Sequence, residues 1–226
     1  MTLSDQLSID SVFGLLVRMF DLVDEQLSNA TNALVSANTE LAAQVTLMDK
    51  KVDVLELEVD KACETLLATR PPDIAQIRKL IAAMRINGEL ERIGDLCKNI
   101  AKKTGLVPSV NVWSAETSLI DLADAVRRIM RDARDALASQ DRLRARQVTA
   151  FDLQVDRAWR EVHPAVSALC AQYPEHTAGL IHIVSVGKSL ERMADHAKSI
   201  ARGIIYAVEG VDSRHQNAQA ALAVES

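Results

Sequence analysis

Aromatic residues are scarce in this 226-residue chain, which has 2 Trp, 2 Tyr and 3 Phe. Glycine and proline are few as well, 8 and 5. A sheet protein of this length would carry more aromatic residues in its strands and more turn residues between them. Three cysteines, Cys63, Cys97 and Cys170, are odd in number and far apart. That excludes a disulfide frame or a thiolate zinc cluster and reads as small buried residues of a reducing compartment. No stretch reaches about 18 uncharged apolar residues, so no membrane insertion is expected. The N-terminus, Met1–Thr2–Leu3–Ser4–Asp5, lacks a basic segment followed by an apolar one. Positive charge is not in excess either: 26 Lys and Arg face 31 Asp and Glu, a net charge of −5. A nucleic-acid binder would show a basic face. A soluble cytoplasmic protein is the expectation.

What the chain has is aliphatic mass. Hydrophobic residues make up 48% of it, mostly Leu, Ala, Val, Ile and Met, and this predicts an all-α fold. Apolar residues recur at helical spacing from Leu7 to about Ala37 (Leu15, Met19, Leu22, Val23, Leu27, Ala30, Leu34), with Ser8 or Asp10 as the cap. A second helix from about Glu40 to Ala68, capped by Thr39, stops at Pro71–Pro72. Asp73 caps a third, from Ile74 to about Thr104, which Gly105 and Pro108 close. The plan then restarts with helices over about 114–138 (Leu119, Leu122, Val126, Ile129, Met130, Ala133, Leu137), 142–171 and 177–208. Pro164 should kink the middle one. Two tandem antiparallel three-helix bundles follow, residues 1–108 and 109–210, related by an internal repeat with a pseudo-twofold. Residues 211–226 have no core pattern and read as a frayed, disordered tail.

The repeat is clearest in its acids. Leu90–Glu91–Arg92–Ile93–Gly94–Asp95 returns 100 residues later as Leu190–Glu191–Arg192–Met193–Ala194–Asp195. Carboxylates at i and i+4 lie one turn apart on one helix face. The second helix of each half carries a similar pair, Asp49/Asp53 and Asp152/Asp156, at an offset of 103. Asp53 lies 18 residues before Pro71 and Glu91 lies 19 after Pro72, so an antiparallel hairpin places them at one height. Asp156 and Glu191 stand about 18 and 17 residues from Pro174 in the same way.

Each half is thus expected to gather four carboxylates: Asp49, Asp53, Glu91 and Asp95, then Asp152, Asp156, Glu191 and Asp195. Such an all-oxygen set suits a hard cation, Mg²⁺, Mn²⁺, Ca²⁺ or Fe, with Zn²⁺ also accommodated. Arg92, Lys98, Arg192 and Lys198 offer the competing explanation, ordinary salt bridges. His196, without a partner in the first copy, reads as a surface histidine. Cys97 reads as packing inward, Trp113 and Trp159 as packing residues, and His163, His176, His182 and His215 show no ligand spacing. No nucleophile–base pair, glycine-rich phosphate loop or catalytic histidine cluster is present, so catalysis is not expected.

The paired motifs, with Asn99–Ile100–Ala101 and Ile200–Ala201 behind them, resemble the signature of PhoU proteins from about Asp5 to Gly210. The resemblance implies a tandem of three-helix bundles that binds metal on its D/E-x-x-x-D pairs. It further implies a regulator of phosphate homeostasis that couples the high-affinity phosphate ABC transporter, through its ATPase, to a histidine kinase. Such a regulator represses the phosphate-starvation response; a homodimer is also implied. Ala194 and Ser199 depart from the family's usual Gly and Asn, which sets the second site apart from the first. Two alternatives stand beside this reading. One is a ferritin-like, carboxylate-bridged di-metal enzyme, which would need Glu-x-x-His motifs that neither copy has. The other is a helical scaffold without metal.

Overall fold

The computed structural model describes residues 7–69, 72–107, 113, 114, 116–150 and 152–211. The expected tail beyond residue 211 and the boundary at 108–112 lie outside them. Among the described residues every regular element is helical. The first half holds α1 (Ile9–Ser36), α2 (Thr39–Thr69) and α3 (Ile74–Ala101); the second holds α4 (Leu119–Ser139), α5 (Arg142–Ala150), α6 (Asp152–Gln172) and α7 (Thr177–Glu209). The expected fifth helix is described over Arg142–Ala150 and Asp152–Gln172, with residue 151 outside the described residues. Pro164 lies inside α6, which continues through it.

Local chemistry accounts for the helix ends. Ser8 caps α1 and Asp73 caps α3, each in a reciprocal box: Ser8 with Ser11, Asp73 with Gln76. At α2 the capping side chain is Asn38, not Thr39, because Asn38 Oδ1 accepts from Leu41 N at 2.9 Å. Thr39 is already the first helical residue. Gly210 closes α7 in the left-handed conformation at φ 71°. The fourth helix starts at Leu119, later than the expected start near residue 114. Ser118 takes a left-handed φ of 55° there and separates it from the helical residues 113, 114 and 116.

Packing follows from how wide each apolar face is. On α4, Leu119, Leu122, Val126, Ile129, Met130, Ala133 and Leu137 are all buried, as expected. On α1 the core positions include Leu16 and Phe20, while Leu15 and Leu22 are only partly buried. The face is broader than one bundle needs because α1 packs against α4 as well as α2 and α3. Helices α3 and α7 pack against each other and run antiparallel. Glu89 meets His196, Arg85 lies over the Tyr206 ring, and Arg78 borders Gly210. A Cβ at Gly203 would lie 2.9 Å from Ile86 Cγ1, so glycine sets the closeness of that contact. One continuous cluster of buried apolar residues therefore runs through both halves.

Candidate functional site

In the first half, α2 and α3 present their acids to each other. Asp49 is 6% exposed, held against α3 by Lys98. The Lys98 ammonium also meets Asp95 Oδ1 at 2.7 Å, so one lysine links the second-helix pair to the third-helix pair. Hydrogen bonds to Asp49 and then Asp95 push the Lys98 pKa above its ordinary value. Gln26 of α1, fully buried, donates to Val45 O at 3.3 Å and to Asp49 Oδ1 at 3.4 Å. A Cβ at Gly94 would stand 3.3 Å from Gln26 Oε1 and 3.6 Å from Asp49 Oδ1. The glycine of the motif gives these polar groups their room.

Asp53, Glu91 and Asp95 form the outer part of the set, joined by a carboxylate absent from the sequence-based one, Glu56. Burial raises the Glu91 pKa, and Asp95 and Glu56 add to the rise against Arg92, 3.6 Å away. Burial likewise raises Glu56, reinforced by Asp60, Asp53 and Asp95. Asp60 in turn accepts from Asn87 Nδ2 at 3.0 Å. A signal for Glu56 and Asp60 was available: Asp49, Asp53, Glu56 and Asp60 fall at i, i+4, i+7 and i+11, a single helical face. Gln26 gave no such signal, since a lone glutamine on an apolar helix acquires meaning only from what it meets.

The donors here are carboxylates, and burial together with the neighbouring acids holds Glu56 and Glu91 above their ordinary pKa, the condition a cation relieves. Their chemistry fits a hard cation on Asp53, Glu56, Glu91 and Asp95. As the side chains stand, no three His, Cys, Asp or Glu among the described residues gather tightly enough to hold one ion. Lys98 occupies the position between Asp49 and Asp95.

The second half is different. Glu191 pairs with Lys188 at 2.6 Å, Asp195 with Lys198 at 2.7 Å, and Asp156 with Arg160 at 3.9 Å. The Asp152 side chain lies outside the described residues. At the offset of 103 Gln26 corresponds to Ile129, and at the third-helix offset of 100 Gly94 corresponds to the buried Ala194. The polar pocket behind the first acid pair is filled by hydrocarbon behind the second. His196 is not a surface histidine: its Nδ1 lies 2.5 Å from Glu89 Oε2 across the α3–α7 contact. Cys97 packs inward, fully buried, and Trp113 packs against Tyr173 and His176. Cys63, Cys97 and Cys170 are all free thiols.

No helix among the described residues is long and apolar enough to cross a membrane. The PhoU domain family matches residues 16–104 and 119–204, one match per half, and each includes one copy of the acidic motif. A phosphate-specific transport system accessory protein PhoU homolog from Zymomonas mobilis is 31% identical over 197 residues, 87% of this chain and 83% of its own. The crystal structure of PhoU from Pseudomonas aeruginosa superposes with a TM-score of 0.81 at 30% identity, covering 89% of this chain and 97% of that one. A Streptococcus pneumoniae phosphate transport system regulatory protein, 22% identical, shares the fold at a TM-score of 0.82 over 90% and 96% of the chains. With its matches in both halves, at the helices that carry the paired acids, the chain belongs to the PhoU family.

Proposed function

We propose that this protein is a cytoplasmic accessory and regulator of phosphate transport that links the uptake transporter's ATPase to a sensor histidine kinase and restrains the starvation response. The observation that carries the reading is the family match across both repeats, in a chain whose homologues bear the name of transport accessory proteins. Cations held on Asp53, Glu56, Glu91 and Asp95, and on the second set, would neutralise the crowded acids and stiffen the α2–α3 and α6–α7 faces for docking. A homodimer belongs to the same reading. The di-metal oxidase gains no support, because neither α3 nor α7 has Glu-x-x-His in its motif.

One observation favours the metal-free scaffold for the inner acids: Lys98 already neutralises Asp49 and Asp95. A host lacking its own copy tests the function. Wild-type protein should restore repression of a starvation reporter in high phosphate; a reporter that stays on despite stable expression refutes the regulator. Metal analysis after dialysis tests the cations separately. Glu91→Ala/Asp95→Ala should hold less metal than wild type, and equal content would remove metal from the first half.

A further inference from the structure

The internal repeat diverges most sharply just beyond its second acid pair. In the first half that face carries Glu56 and Asp60, and Asn87 of α3 plugs it with hydrogen bonds to Glu56 O and Asp60 Oδ1, both at 3.0 Å. The corresponding residues in the second half are Trp159, His163 and Gly187. Glycine at 187 is needed for the indole to lie down on α7, since a Cβ there would sit 2.6 Å from Trp159 Cζ3. The result is a groove of about 610 Å³ between α6 and α7. Its lining includes Trp159, His163, Ile181, Ser185, Lys188 and Arg192. Lys188 is shared with Glu191, while Arg192 forms no ion pair among the described residues. A polar, acidic seam in one repeat has become an aromatic floor with a basic rim in the other.

We propose that this groove binds a small anion carrying a flat ring, a nucleoside phosphate in chemical class. The volume falls within the range of small-molecule sites, roughly 300–1,000 Å³. A half-buried indole offers a stacking face for the ring, beside the exposed Ile181. Arg192 supplies an unengaged fork of donors for phosphate oxygens, and Lys188 adds a point charge once it turns from Glu191. Asp156 faces the neighbouring turn of α6, paired with Arg160, and leaves the rim basic. The inference stands apart from the regulatory reading and from the metal: it rests on the Trp159–Gly187 contact and the cations around it.

The test is a titration of the full chain with AMP, in chelator so that no metal bridges the phosphate to the acids. The chain has 2 Trp, so Trp113→Phe leaves Trp159 as the sole reporter. AMP should quench it saturably, and calorimetry on the unmutated chain should give the same affinity. Arg192→Ala, an exposed position, should weaken binding at least about tenfold, equivalent to about 1.4 kcal/mol. Adenosine and inorganic phosphate should each bind at least about tenfold more weakly than AMP. No saturable signal by either method overturns the site. An Arg192→Ala variant that binds as well as wild type overturns the role of the rim. Phosphate binding as tightly as AMP overturns the role of the ring.

Discussion

Replacing Lys98 by methionine should destabilise the protein by about 2–3 kcal/mol. The Asp49 side chain is only 8% exposed, and Lys98, at 24%, is the cation that reaches it. Removing one partner of a buried pair typically costs about 3–5 kcal/mol because the remaining charge stays desolvated. Two features reduce that here: Lys98 is partly solvated, and Gln26 still donates to Asp49. In a chain of this length each kcal/mol moves the melting temperature by about 2–4 °C, so a fall of about 4–12 °C is expected. The Lys98 pKa lies above its ordinary value in the folded protein. A raised lysine contributes fully below its unfolded pKa and loses the contribution as pH climbs through its folded one. The difference from wild type should therefore persist from neutral pH to about pH 10 and shrink only in stronger alkali. Thermal and urea unfolding of wild type, Lys98→Met, Asp49→Asn and the double variant provide the cycle. Asp49→Asn should recover part of the loss, with a coupling of at least about 1 kcal/mol. A fall under about 2 °C, or strictly additive losses, would refute a buried carboxylate neutralised by lysine.

Two further outcomes follow from the same geometry. Glu91→Gln should stabilise the metal-free protein at neutral pH, because burial, Asp95 and Glu56 hold the Glu91 pKa above its ordinary value. For such a group the charged form is the unfavourable one, so the gain should vanish as pH falls through the ordinary carboxylate range, about pH 4; melting curves across pH would read it, and a pH-independent gain would contradict the assignment. Gly203→Val places new methyl groups against Ile86 where even a Cβ would stand at 2.9 Å, and overpacking there should lower stability by about 2–3 kcal/mol in urea unfolding, with Gly203→Ala less affected.

What could be read along the chain was whatever depends on nearby residues. Helix faces and the Ser8 and Asp73 caps are set within a turn or two, and the apolar spacing of α4 places all seven of its expected core residues. The duplicated acids were visible because a repeat is a comparison of the sequence with itself, and counting from the turns needs only helical rise. The missing parts depend on which surfaces meet. Leu15 and Leu22 look as apolar as Leu16 and Phe20 until α4 arrives and settles which face α1 buries. Asn38 rather than Thr39 caps α2 because the chain enters that helix one residue earlier than polarity suggests.

The all-helical fold, the two repeated halves and the eight paired carboxylates follow from periodicity and residue type, which the chain carries locally. What those carboxylates face depends on packing between distant helices. The tertiary structure placed Lys98 between Asp49 and Asp95, put Gln26 behind them, and turned His196 inward onto Glu89. It also showed where the sequence differences between the repeats fall, with Gln26 and Gly94 behind the first acids and Ile129 and Ala194 at the matching positions of the second half. A charge has a fixed identity in sequence, but its energy depends on the groups and the solvent around it, and those are brought together only when distant helices pack.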